Sequence, residues 1–238
     1  MYKASLTLLL IVGISTADTP KPTKPATAKE ALQPLNGLVG SWKGSGAPEG
    51  TREEKAAGAW TETIGWSWQF KGDDAWMKLT FEKGKFFTTG ELRYTPEKDK
   101  DEVRFTLKLT ATDKSTATFV GTLKDKVLSL DRTDPGKEEQ RLVFSFLHHN
   151  RHLVRMETRP VGTQLAFTKQ WQVGATKEGV PFAELPKGPE CIVSGGVGTM
   201  KVTYMGKEYY VCCSGCRDAF KDNPEKYIKE AAANAKKP

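Results

Sequence analysis

Apolar and polar residues alternate over much of the chain between residues 60 and 175. In segment 62–70, aromatic or aliphatic residues occupy every second position from Ile64 to Phe70, with polar or small residues between them. Segment 103–110 repeats this pattern. A period of two is that of a β-strand with one buried and one solvated face. Similar runs occupy residues 76–81, 86–94, 116–123, 127–130, 142–148, 152–157 and 164–173. The pattern therefore predicts about nine antiparallel strands.

Turn-forming residues separate the predicted strands, and little of this region has a helical period. Polar turns containing glycine or proline lie at 71–74, 96–99 and 134–136, and the one convincing helix start lies at 28–38. Strands at short, even spacing favour a meandering barrel, because closing the sheet removes its exposed edges. The predicted fold class is mainly β, with an antiparallel barrel as its main unit.

Two proline-bearing stretches divide the chain. Residues 18–33 hold three prolines among Thr, Lys and Ala, a composition typical of a tether. Residues 178–190 hold three more, which interrupt any regular element, and all four cysteines follow them. We therefore expect a barrel domain at 34–177, a linker at 178–190 and a small cysteine-bearing domain at 191–238.

The first seventeen residues have the pattern of a secretory signal. Lys3 gives a positive start, the apolar stretch 6–14 is too short to span a bilayer, and Ser15 and Ala17 provide small residues for cleavage. An uncleaved anchor is the alternative interpretation. The signal at 1–17 predicts a periplasmic or secreted protein with no membrane span after cleavage.

Composition and charge argue against a disordered protein and against a nucleic-acid-binding protein. Of the 238 residues, 38% are hydrophobic, which is enough for a packed core and argues against wholesale disorder. The net charge is +7, but acidic and basic residues are mixed without a block of five like charges, so no nucleic-acid partner is expected. We find neither a Ser/His/Asp set nor a phosphate-binding glycine loop, and we predict that the protein is not an enzyme.

The start of the predicted barrel resembles a known family. Segment 35–46 reads LNGLVGSWKGSG and is similar to the opening strand of lipocalin-like (calycin) domains, with their Gly-x-Trp signature at Gly40 to Trp42. The resemblance extends, through the strand pattern, to about residue 174. It implies a lipocalin-like barrel, and such barrels often hold a small apolar ligand. The alternative is that the tryptophans fill the interior and leave no cavity.

The three histidines lie together at a predicted hairpin. Strand phase would allow His148 and His152 both to point inward at one rim of the barrel, where two imidazoles could bind a metal or a haem iron. A solvated turn that includes His149 is the simpler interpretation. Some small haem-binding barrels share the Gly-x-Trp opening, but they carry the iron ligand on a strand near the barrel's end. No histidine follows His152 in this sequence.

The cysteine-bearing tail has the layout of a thiolate metal site. Two short strands at 200–204 and 208–211 lead into Cys212, Cys213 and Cys216, and a short helix follows. Asn223 and Pro224 are typical of the start of a second helix. Thiolates at a helix start bind zinc or copper(I), and Cys191 can close the site from upstream. A bound metal would also offset the small core of a fifty-residue domain.

This small α+β tail, a β-hairpin with two short helices, resembles the YHS/TRASH family of metal-binding domains. The resemblance rests on CIVSG at 191–195, VTYMGKEYYVCCSGC at 202–216, Phe220 and NPEKY at 223–227. It implies heavy-metal binding, and the ligands it carries over are Cys191, Cys212 and Cys216. The thiol at position 213 is an addition to the family pattern.

The role of Cys213 stays open at the level of sequence. Neighbours in an extended chain point to opposite sides, so we expect Cys212 to ligate with Cys216. Cys213 is then a spare thiol, a fourth ligand or a substitute, and Asp218 or water is another candidate for a fourth ligand. Two structural disulfides and a redox-active CxxC at 213–216 are the competing interpretations of the four cysteines.

Together these patterns predict an exported, non-enzymatic protein that binds zinc or copper through its C-terminal cysteine cluster. The alternative is a carrier of a small apolar ligand or haem in the barrel, with a disulfide-bonded or redox-active tail.

Overall fold

The structure is a computed structural model that describes residues 25–97, 102–133, 138–180 and 188–234. The predicted signal at 1–17 and the first part of the predicted tether lie outside these residues. None of the described helices combines the length and the apolar character that crossing a bilayer requires.

Ten strands of the described chain form a closed antiparallel barrel, which confirms the predicted main fold. Each strand pairs with its neighbours in sequence, and β1 closes the barrel by pairing with both β2 and β10. The strands are β1 (Gly40–Pro48), β2 (Trp60–Lys71), β3 (Asp74–Glu82), β4 (Phe87–Tyr94), β5 (Arg104–Ala111), β6 (Thr116–Lys124), β7 (Val127–Thr133), β8 (Glu138–His148), β9 (Arg151–Pro160) and β10 (Thr168–Lys177).

The alternating residues of the strands fill the barrel interior. Ile64, Trp66 and Trp68 on β2 are all buried, and Trp66 packs edge-on against Phe144 of β8 with ring centroids 5.6 Å apart. Aromatic side chains bury large apolar areas, so they supply much of the stabilisation of such a core. The barrel interior around these residues is therefore filled by packed side chains.

A short helical segment precedes the first strand and shares the barrel's core. Helix α1 (Ala28–Leu32) begins at a capping box formed by Thr27 and Glu30, and a 3-10 helix (Gln33–Leu38) continues it. Both lie within the predicted helix start at 28–38. Leu35 and Leu38 are buried, and so are Ala31 and Leu32, which shows that the end of the predicted tether is packed here. A second short helix, α2 (Arg52–Ala57), lies between β1 and β2.

The tail has the predicted hairpin and two helices. Strands β11 (Met200–Tyr204) and β12 (Lys207–Val211) pair across a tight turn in which Met205 and Gly206 both have positive φ. Helix α3 (Ser214–Asp222) is followed by α4 (Pro224–Asn234). The side chain of Asn223 accepts a 3.1 Å hydrogen bond from the Lys226 amide and so caps α4 as predicted.

The tail packs directly on the barrel. A Cβ atom built on Gly215 would overlap the carbonyl oxygen of Trp68, so α3 lies against the backbone of β2. Tyr227 of α4 packs edge-on against Phe70, and Lys226 forms a 2.7 Å ion pair with Asp73. Close approach of α3 to the sheet therefore requires glycine at position 215.

Candidate metal centre

Three segments bring the thiols of Cys191, Cys212 and Cys216 into one group. Cys212 follows β12, and Cys216 lies in the first turn of α3. Cys191 reaches the group because its neighbour Ile192 donates a backbone hydrogen bond to Tyr210 in β12. The three sulfur atoms all lie within 4.8 Å of one another, and those of Cys212 and Cys216 are 3.5 Å apart. This is the arrangement of a potential thiolate metal site.

The three grouped thiols are shielded from solvent. Cys191 is 1% exposed, Cys212 is 9% exposed and Cys216 is fully buried. Thiols rather than disulfides are present at all four cysteine positions. In the described chain, no histidine or carboxylate joins this group. The donor set is therefore made of sulfur alone.

Cys213 and Asp218, the other candidate ligands, lie outside the group. The Cys213 sulfur is 3.9 Å from that of Cys212, and the residue is partly exposed at the N-cap of α3. The Asp218 carboxylate accepts a 2.9 Å hydrogen bond from the neighbouring Arg217 on the exposed side of the helix. The role of Cys213 remains a prediction, and its position favours a spare thiol beside the site.

Mutual hydrogen bonds distribute protons unevenly over the thiols. Hydrogen bonds from Cys212 and Cys216 lower the pKa of Cys191 against the effect of burial. Burial raises the pKa of Cys216, and the hydrogen bond to Cys191 raises that of Cys212. Hydrogen bonding within the cluster therefore favours the thiolate at Cys191 and opposes loss of the proton from Cys212 and Cys216. Hydrogen bonds from Cys212 and Cys216 also lower the pKa of the adjoining Cys213.

Metal affinity is expected to rise with pH, because an ion must displace protons from two thiols. With raised pKa values at Cys212 and Cys216, binding releases about two protons per ion. The apparent affinity should therefore fall by up to about a hundredfold per pH unit between pH 8 and pH 6. Competition with a chelator, corrected for the chelator's own protonation, measures this slope. A flat profile would contradict the proton assignment.

Hydrogen bonds through Ser194 and Asn36 connect the thiols to the barrel. The Ser194 hydroxyl is fully buried and lies 3.3 Å from the Cys212 sulfur. The Ser194 carbonyl accepts a 2.9 Å hydrogen bond from Asn36, whose side-chain oxygen accepts another from the Trp68 indole. Ser194 lies within the CIVSG segment, but no sequence signal marked its contact or the role of Asn36.

Lys177 is a further residue of the site that the sequence did not indicate. It lines a cleft of about 930 Å³ between the barrel and the tail, and Cys212 is the grouped thiol that reaches this cleft. Burial lowers the pKa of Lys177, and the nearby Cys212 opposes this effect. A cation here stabilises negative charge on the Cys212 sulfur.

Replacing Lys177 with Met is expected to weaken copper(I) binding about three- to tenfold, because one copper(I) ion replaces about two protons and leaves the site more negative. Loss of one nearby charge in a partly buried site is worth on the order of 1 kcal/mol. Chelator competition measures the change, and Lys78→Met, on an exposed position of β3, is the charge-matched control. An equal effect in both variants would show that only net charge matters.

The histidines divide into one buried and two exposed residues. His152 points into the barrel as predicted, but His148 and His149 are exposed. The expectation that His148 faces inward is wrong, because the pairing of β8 with β9 shifts between Phe146 and His148 and breaks the alternation there. His152 is therefore the one of the three that points inward, and His148 and His149 line the same pocket at this rim.

Comparison with known proteins identifies the tail. Residues 197–231 match the YHS domain. The matched YHS domain contains β11, β12, α3 and most of α4, with Cys212, Cys213 and Cys216. Cys191 precedes the matched residues, and the fold brings its thiol to the other two. The YHS domain and the thiol group together indicate metal binding.

The chain has a weak similarity to one solved structure, the crystal structure of Rv2717c from M. tuberculosis. The sequences are 16% identical, the TM-score is 0.36, and the match covers 62% of this chain and 97% of that chain. No curated protein significantly matches the chain in sequence.

Proposed function

We propose that this is an exported, non-enzymatic protein that captures zinc or copper as its cargo through Cys191, Cys212 and Cys216. The observation that carries the proposal is the convergence of three buried sulfur atoms to within 4.8 Å of one another. One of the three lies more than twenty residues upstream of the others. A cluster drawn from separate segments is typical of a site that binds an ion.

The donor set fits a soft or borderline cation. Thiolates bind copper(I) and zinc well, whereas calcium and magnesium prefer oxygen ligands. Zinc in structural sites takes four ligands, and only three thiols converge within the described chain. A three-thiolate set suits copper(I) as it stands. For zinc, Cys213 or a water would complete the set.

Export and the absence of catalysis rest on sequence alone. The basic start, short apolar stretch and small residues at 1–17 favour export by a cleaved signal. The sequence has neither a Ser/His/Asp set nor a phosphate-binding glycine loop. We therefore assign the protein a binding role in the periplasm or outside the cell.

Metal analysis combined with a thiol count tests the proposal. The full chain is expressed for export, purified without chelator, and compared with its Cys191→Ser and Cys213→Ser variants. We expect about one zinc or copper per chain in the parent and in Cys213→Ser, and none in Cys191→Ser. A parent with neither metal nor reactive thiols would instead indicate structural disulfides and would refute the proposal.

A further inference from the structure

A second candidate site lies at one end of the barrel, apart from the thiol group. A pocket of about 500 Å³ opens between the 3-10 helix, the β6–β7 turn and the β8–β9 turn. Its volume is in the range of pockets that hold small organic molecules. Most of its wall is apolar, formed by Leu35, Leu38, Trp42, Leu123, Phe146 and Leu147.

His152 supplies a buried polar group in this apolar wall. The residue is 1% exposed, and its ring lies edge-on to Trp42 with centroids 4.5 Å apart. Neither ring nitrogen has a hydrogen-bond partner among the described residues. Buried polar groups in native proteins are nearly always hydrogen-bonded, so an unpaired one in a pocket points to a missing partner.

The environment keeps the His152 ring uncharged. Burial, together with the nearby positive charge of Lys177, lowers its pKa to about 4. At neutral pH the ring therefore offers one N–H donor and one acceptor nitrogen. Asp125 and Lys126 bring opposite charges to the same pocket. An uncharged partner is favoured, because burying a charge beside a neutral imidazole is costly.

We propose that this pocket binds a small uncharged aromatic molecule bearing a hydroxyl group, with the hydroxyl hydrogen-bonded to His152. The rings of Trp42 and Phe146 in the wall favour an aromatic ligand, because aromatic pairs add to simple burial. The hydroxyl supplies the hydrogen bond that the imidazole lacks. This site does not depend on metal at the thiol group.

A matched pair of probes tests the proposal on the full chain. 2-Naphthol carries the hydroxyl, and 2-methylnaphthalene has nearly the same shape without it. Equilibrium dialysis should give one 2-naphthol per chain, bound about tenfold more tightly than 2-methylnaphthalene, since an unmade buried hydrogen bond is penalised. The His152 imidazole resonances should shift only when 2-naphthol is added.

Variants separate hydrogen bonding by His152 from nonspecific hydrophobic binding by the pocket wall. His152→Phe removes the polar group but keeps an aromatic ring, so we expect a folded protein that has lost the preference for 2-naphthol. His152→Gln, which restores a donor and an acceptor, should recover part of it. Thr89→Phe, at an exposed position of β4 that does not line the pocket, is the control and should retain the preference.

Three results would overturn the proposal. Equal binding of the two probes by the parent would leave no role for the hydroxyl. A preference that survives in folded His152→Phe would remove His152 from the site. Failure of 2-naphthol to bind up to its solubility limit would mean that water alone satisfies the imidazole.

Discussion

Replacing Cys216 with Ser is expected to lower metal affinity by more than about a hundredfold. Cys216 is fully buried, and its sulfur lies 3.5 Å from that of Cys212. It is therefore one of the three sulfur atoms that would bind the ion directly. Serine keeps its proton at neutral pH, and its neutral hydroxyl binds copper(I) or zinc far more weakly than a thiolate does. Changes to groups that merely support ligands cost ten- to a hundredfold, and loss of a ligand should cost more.

Cys213→Ser is the matched control for this prediction. It removes one sulfur from the neighbouring helix cap and leaves the grouped three intact. Competition with a chromophoric chelator, measured separately for zinc and copper(I), gives both affinities. We expect less than a tenfold change in Cys213→Ser. An equal loss in the two variants would make Cys213 a ligand, and an unchanged Cys216→Ser would contradict the site.

The substitution Gly215→Ala is expected to lower the free energy of unfolding by about 1–3 kcal/mol, as overpacking of a close contact does. The added methyl group would overlap the backbone carbonyl of Trp68, which cannot rotate away as a side-chain end can. Helix α3 must then shift from β2. Because α3 carries Cys216, metal affinity should fall as well. The gain in helix propensity, at most about 1 kcal/mol, does not offset the overlap.

Urea unfolding of the metal-free protein measures the stability change, and chelator competition measures the change in affinity. Gly37→Ala is the control, since a Cβ at that position meets no atom within 4 Å. Its stability should stay within about 1 kcal/mol of the parent, the range of ordinary glycine-to-alanine effects. If Gly215→Ala behaved like Gly37→Ala, the close packing of α3 on β2 would be wrong.

Local sequence patterns were sufficient to predict most of the secondary structure. The alternation in segment 62–70 corresponds to a strand in which Ile64, Trp66 and Trp68 are buried and Phe70 is half-buried, because a period of two places them on one face. The N-cap at Asn223 was also predictable, since its side chain satisfies an amide only a few residues away. Closure by β1 follows from the cost of open sheet edges.

Contacts between distant segments could not be predicted in this way. The hydrogen bonds from Asn36 to Ser194 and from Trp68 to Asn36 join residues far apart in the chain, and no local period encodes them. The orientation of His148 could not be predicted for a different reason. A shift in strand pairing just before it places its side chain on the opposite face from the one that alternation predicts. The unpaired imidazole of His152 also became visible only from the packed barrel.

X-ray absorption spectroscopy at the edge of the bound metal tests the central claim most directly. The full chain is loaded with one equivalent of copper(I) or zinc, and the nearest shell of atoms is measured. We predict three sulfur atoms, at about 2.3 Å for zinc, and the loss of this shell in Cys191→Ser. A shell of nitrogen and oxygen in the parent, or a three-sulfur shell that persists without Cys191, would contradict binding by Cys191, Cys212 and Cys216.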